Sequence, residues 1–182
     1  MDMKLKGLLE EKKSAILTKW FDAIIETYPT DSSGFLKNKK ERFANPVGHV
    51  FTQGIEDILD ALIERADIAE VLPFLDDIIK VRAIQDFTPS KAMSFVFLLK
   101  KVVREELVKE IRQNQVSEAL LEFESIIDEL ALLSFDKYIK YREKIYKLKT
   151  DELKRQSFRL LKKAKLMSEI PVQEFERGDQ EE

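Results

Sequence analysis

The sequence predicts an all-α fold, a helical bundle closed by a long C-terminal helix, and three observations carry that prediction. Apolar residues recur at spacings of three and four through most of the chain, whereas the strict alternation a half-buried strand needs is hard to find. The five prolines stand at the edges of apolar-periodic segments, and only five glycines interrupt 182 residues. An apolar content of 44% with 12 Phe is ample for a core.

The elements follow in order. A first helix is expected from about Lys4 to Tyr28, because Leu5, Leu8, Leu9, Ile16, Trp20, Phe21, Ile24 and Ile25 fall mostly on one face; Pro29 stops it. Thr30-Asp31-Ser32-Ser33 offers caps for a short turn bearing Phe35 and Leu36, and Lys37 to Arg42 reads as a basic connection. Asn45 then caps and Pro46 opens a core helix marked by Val47, Val50, Phe51, Ile55, Ile58, Leu59, Leu62 and Ile63. After Asp67, an apolar face of Leu72, Leu75, Ile78, Ile79 and Ala83 predicts another helix, with Pro73 in or before its first turn and Gln85-Asp86-Phe87 at its end. Thr88-Pro89 repeats the pairing of cap and proline, and Ala92, Phe95, Val96, Leu99, Val102, Val103 and Leu107 give a helix apolar almost all round in its middle, as a central bundle helix should be.

From about Ser117 to Met167 there is neither Pro nor Gly, so one helix of about 50 residues is predicted; at ~1.5 Å per residue it is roughly 75 Å long, more than one globular domain covers. Its first half, through Leu120, Phe123, Ile127, Leu130 and Ser134 into Tyr138, Tyr141, Ile145 and Leu148, should close the bundle. Beyond that, Leu153, Ser157, Leu160, Ala164 and Met167 form a weaker seam in a shifted phase, suited to self-association. The expected organisation is a helical sensor or regulatory domain over 1–149, an extended basic helix over 150–168 and an acidic, disordered tail over 169–182. Trp20, Phe51, Ile55, Leu59, Phe95, Leu99, Val103, Phe123, Ile127 and Leu130 are the predicted core.

A net charge of −3 conceals a segregation of charge. Residues 1–136 hold 18 Lys and Arg against 25 Asp and Glu, residues 137–165 hold 12 against 3, and residues 166–182 hold 1 against 6. With no Cys there is no disulfide, thiolate metal site or thiol nucleophile, in keeping with a reducing cytoplasm. Met1 to Lys6 lead into an amphipathic pattern rather than an apolar signal core, and no apolar run approaches the ~18 residues of a spanning helix, so a cytoplasmic protein without membrane insertion is expected.

The chemistry is sparse. His49, the only histidine, lies in the first third of the chain, unlike a globin's proximal ligand, and reads as an ordinary surface or first-turn helix residue. Acidic groups such as Glu56, Asp57 and Asp60, or Glu122, Glu124, Asp128 and Glu129, alternate with apolar faces and lack the histidines of a di-iron bundle. No phosphate loop, Ser-His-Asp set or nucleophile elbow occurs, so no enzyme, metal or cofactor is expected. One corner stands apart: Arg82 and Asp86 at i and i+4 can pair beside Phe87, while Asp86 or Thr88 can cap the helix that follows. Asn45, Arg82, Gln85, Asp86, Phe87 and Ser90 form the candidate ligand or partner corner, where the positive end of the Pro89 helix is available to an anion. The basic helix could meet nucleic acid, but its charges spread around the helix and no recognition module accompanies them, so nucleic acid is not the expected partner.

Trp20, Tyr28-Pro29, Phe35, Phe43-Ala44-Asn45-Pro46-Val47-Gly48, Arg82-Ala83 and Gln85-Asp86-Phe87-Thr88-Pro89-Ser90, with the run Ser94-Phe95-Val96-Phe97-Leu98-Leu99-Lys100, resemble the N-terminal sensor domain of RsbRD-type RsbT co-antagonist proteins, the stressosome-associated family. The resemblance spans roughly Leu8 to Leu148 and implies a globin-like arrangement without haem, a sensing or scaffolding role, and a long helix that passes the signal to an output domain such as a STAS domain or a histidine kinase. The sequence stops at residue 182, short of the ~100 further residues an output domain needs, so a free-standing regulatory or adaptor protein acting through protein partners is expected. A small-molecule or haem sensor and a nucleic-acid binder are the competing classes. A homodimer through the helix from about Leu130 to Met167 is the expected assembly; in a parallel pair its positive charges repel, and salt would then strengthen association.

Overall fold

The computed structural model describes residues 2–29, 46–65, 67–85 and 87–163, and every described element is a helix. They are α1 (Met3–Ile25), α2 (Pro46–Glu64), α3 (Ile68–Ile84), α4 (Pro89–Glu106), α5 (Val108–Arg112) and α6 (Ser117–Lys163). The chain divides into two compact units, Met1–Glu143 and Lys144–Glu182.

In the first unit, the Asp2 carboxylate accepts from the Lys4 amide at 3.2 Å and caps α1. The helix ends at Ile25, three residues before the expected Tyr28, because the Thr27 and Tyr28 amides turn back to the Ile24 and Ile25 carbonyls and tighten the chain ahead of Pro29. Pro46 and Pro89 do open α2 and α4. Pro73 corrects a second expectation: it lies inside α3, in the second turn, where the missing amide forfeits one intrahelical bond that the packing of Val71, Leu75, Ile78 and Ile79 compensates. The short turn predicted around Phe35, the Asn45 cap and the tail fall outside the described residues.

Two close packings organise this unit. A Cβ added to Gly54 of α2 would meet the Ile78 side chain at 2.8 Å and the Phe74 carbonyl at 3.3 Å, so this glycine lets α2 and α3 approach backbone to backbone. Against α1, the α4 helix is pinned by Trp20, whose Nε1 donates to the Phe95 carbonyl at 2.7 Å within the core. All ten predicted core residues are buried, together with Leu5, Leu9, Ile16 and Leu75. On α6, Glu124 is buried and receives two bonds from Arg104 of α4, one of 2.7 Å to Oε2, so that its charge is compensated where water is scarce. Arg65 and Asn114, with φ of 57° and 54°, take left-handed conformations just beyond the ends of α2 and α5.

In the second unit, the described residues continue α6 to Lys163 and present their side chains largely to solvent. Among the described residues no helix is long and apolar enough to cross a membrane.

Candidate functional site

The predicted corner forms where α3 ends and α4 begins, and Arg82 is its centre. In the last turn of α3 its side chain is fully buried, although local spacing gave no sign of that. Nη2 donates to the Thr27 hydroxyl at 3.1 Å and to the Lys91 carbonyl at 2.8 Å, tying the end of α1 and the first turn of α4 to α3. Nε and Nη1 are buried without an acceptor, and no described carboxylate pairs with the guanidinium. Aromatic rings surround the guanidinium: Phe87, Tyr28, Phe95 and Phe51 lie with centroids 4.8, 5.4, 5.7 and 5.9 Å from its carbon. Burial pulls the Arg82 pKa below its usual value, while Tyr28 and Tyr138 oppose the shift. An arginine remains protonated even so, and the corner holds a caged cation.

The rings brace one another. Tyr28 meets Phe87 and Phe51 edge to face at 5.1 and 6.0 Å, and its hydroxyl donates to Gln85 Oε1 at 2.8 Å. Burial raises the Tyr28 pKa, so the phenol stays neutral as a donor. Lys91 covers the Phe87 ring from 5.2 Å. Thr88 corrects the capping expectation: it is the N-cap of α4 but makes no side-chain cap bond, its hydroxyl lying 3.3 Å from that of Ser90. Ser90 is exposed. Arg82, Gln85 and Phe87 are thus brought together, whereas Asn45 and Asp86, and with Asp86 its pairing to Arg82, lie outside the described residues.

The sequence reading missed the link from this corner to α6. Tyr138 donates its hydroxyl to the Phe87 carbonyl at 3.2 Å, and Arg142 Nη1 donates to the Ala83 carbonyl at 2.9 Å. About two turns earlier on α3, Asp76 accepts from Lys137 at 2.9 Å, from the Tyr141 hydroxyl at 2.7 Å and from Lys80 at 2.7 Å. Burial works to raise the Asp76 pKa, but the bonds from Lys80, Lys137 and Tyr141 and the charge of Lys137 outweigh it and hold the carboxyl at about 2. The available signal was the three-and-four spacing of Lys137, Tyr138, Tyr141 and Arg142, which gives α6 a polar face toward α3.

No comparable chemistry surrounds His49. It is half-buried in an open groove of about 430 Å³ beside Gln53, Gly54, Asp57, Phe74 and Asp77. Among the described residues no group of three or more His, Cys, Asp and Glu could hold a metal.

Comparison with curated proteins gives no match, and neither does comparison with solved structures. The family model described as the RsbT co-antagonist protein rsbRD N-terminal domain matches residues 14–153, which include the whole corner and its link to α6. Members of this family are regulatory domains in stressosome-associated signalling rather than a known catalytic family. On that match across most of its length, the chain belongs to the RsbT co-antagonist protein rsbRD N-terminal domain family.

Proposed function

We propose that the chain is a non-catalytic cytoplasmic regulatory domain that works by binding protein partners and forms a homodimer through the segment from about Leu130 to Met167, of which α6 covers the part to Lys163 and the rest lies outside the described residues. The observation that carries the reading is the second unit, where Tyr146, Leu148, Leu153, Phe158, Leu160 and Leu161 are all exposed. An isolated helical segment of this length is marginal in water, and its apolar seam gains stability only against another surface. Truncation after Leu148 should leave a folded first unit and weaken association, read by sedimentation against the full chain. A full-length chain that remains monomeric at high concentration defeats the homodimer.

The Arg82 corner, with Gln85, Phe87 and Ser90, is the proposed entry point of the signal. Its bonds through Phe87 and Ala83 to Tyr138 and Arg142 support this, since a change at the corner must alter groups that hold α6. A small-molecule sensor is the second reading. It is favoured by the unpartnered Nε and Nη1 of Arg82, which an anion could satisfy. Thermal unfolding with acetate, phosphate and chloride series at fixed ionic strength tests it: a midpoint raised by one anion in the wild type but not in Arg82→Met supports the sensor, and equal responses of the two proteins oppose it.

A further inference from the structure

In the second unit, α6 carries a narrow heptad seam whose borders hold one sign of charge. Tyr146, Thr150, Leu153, Ser157 and Leu160 follow one another at alternating intervals of four and three, which sets Tyr146, Leu153 and Leu160 at the d positions of a heptad and Thr150 and Ser157 at its a positions. The three d residues are 55%, 63% and 67% exposed. The e and g positions that border the seam are Lys147, Lys154 and Leu161 on one side and Lys149, Gln156 and Lys163 on the other, all exposed. None is acidic. The carboxylates of this stretch, Asp151 and Glu152, occupy b and c positions away from the seam, and Glu152 pairs with Arg155 at 3.1 Å.

Resting on the reading that the chain acts through protein partners, we infer that the mate of this seam is an acidic amphipathic helix of another protein, with Leu or Ile in its seam and Glu or Asp on its borders. Charge argues for it first. In an in-register parallel pair of two copies, each g position faces the e position of the following heptad in the other chain, so Lys149 meets Lys154 and Gln156 meets Leu161. In an antiparallel pair e faces e and g faces g, and these positions supply only Lys, Gln and Leu. No orientation of two copies brings unlike charges together along this stretch, whereas a border of carboxylates answers every lysine. Size argues the same way against the parallel pair, which stacks Thr150 on Thr150 and Ser157 on Ser157; a Leu or Ile from a different chain fills the room those small side chains leave. The narrowness of the seam selects a helix over an anionic lipid surface, because Leu148 and Phe158 stand on other faces and a helix lying in a membrane needs a broad apolar side. A second copy is then the weaker occupant of this stretch, and the acidic helix displaces it.

The test titrates the full chain into labelled synthetic peptides about three heptads long, alike in carrying Ile and Leu at a and d, one with Glu and the other with Lys at e and g. The Glu peptide should bind at least about tenfold more tightly than the Lys peptide, gain helicity on binding, and weaken severalfold as ionic strength rises. Lys147→Glu, Lys149→Glu and Lys154→Glu made together should reverse the order of the two peptides. All three positions are exposed, and circular dichroism checks that the variant keeps its helical content. Lys147→Gln, Lys149→Gln and Lys154→Gln together provide a milder second variant, in which the preference should level. Equal affinity of the two peptides for the wild type overturns the inference, and so does equal binding of a Glu peptide of the same composition in scrambled order, which has the charge without the seam. A gain of helicity with phosphatidylglycerol vesicles and none with the Glu peptide marks a membrane as the mate and overturns it as well. Sedimentation keeps the homodimer separate: a chain that is monomeric alone yet binds the Glu peptide defeats the homodimer and leaves the acidic mate standing. A homodimer that persists with the peptide bound overturns the acidic mate and leaves the homodimer standing.

Discussion

Arg82 and Leu160 invert the same rule in opposite ways: the charged side chain has no exposed surface, while the apolar one is 67% exposed. The two inversions differ in what surrounds them. Around Arg82 the first unit supplies two acceptors and four ring faces, so the cation is accommodated within the fold apart from two unpaired nitrogens. Around Leu160 the described residues supply no cover, so its apolar surface is left open to a further contact. An inversion enclosed by the fold bears on stability and on how α1, α3 and α4 are joined. One left open bears on association.

Substitutions in the two regions should separate these consequences. The largest effect is expected in the core: Leu99→Ala should cost ~2–5 kcal/mol in denaturant unfolding, and a loss below about 0.5 kcal/mol would show that α4 is not the centre of the first unit. Removing Arg104 as Arg104→Met strands the buried Glu124 carboxylate and should cost about 2 kcal/mol at neutral pH, read by denaturant unfolding.

Asp76→Asn tests the hold on α6. The native carboxyl titrates near 2, below its unfolded value of about 3.9, so its stabilisation is fully present above pH 4 and disappears as pH falls through 2. Discounted for solvent access, the substitution should cost about 1 kcal/mol at pH 7 and nothing measurable at pH 2. A cost independent of pH would mean that the Asp76 bonds do not hold the helix.

Arg82→Met sharpens the comparison, because methionine fills much of the same cage without a buried charge. Its effect on stability should lie within about 1 kcal/mol of zero, with stabilisation possible. A loss above about 2 kcal/mol would make the caged cation a structural necessity and weaken its candidacy as a signalling group. Smallest of all, Leu160→Ala should change the unfolding of the first unit by less than about 0.5 kcal/mol while weakening association, measured on one sample by denaturation and by sedimentation.

Much of the fold was legible because its signals are local. Pro46 and Pro89 announced helix starts, and the apolar spacing of Phe95, Leu99 and Val103 placed them in the core. Pro73 and Thr88 departed from local rules: one sits inside a helix whose packing tolerates it, and the other caps with its backbone position but not its side chain. At the corner, Arg82, Gln85 and Phe87 were readable because they lie within six residues of one another. Tyr28 was visible only as the expected end of the first helix and as a landmark of the family resemblance. Phe51 and Phe95 read as core alone, and Tyr138 and Arg142 come from an element more than fifty residues away.

By itself the sequence determined the helical class, the order and approximate limits of the described helices other than the short α5, the core residues and the segregation of charge along α6, since each depends on spacing within a few turns of one helix. Tertiary structure alone decided that Arg82 lies inside, that four aromatic rings from α2, α4, the turn after α1 and the turn before α4 close around it, and that α6 is held through Asp76, Ala83 and Phe87. The physical reason is that burial belongs to the surfaces that meet: the spacing of a residue on its own helix fixes which way it faces, and only the packing of distant segments fixes whether water is there.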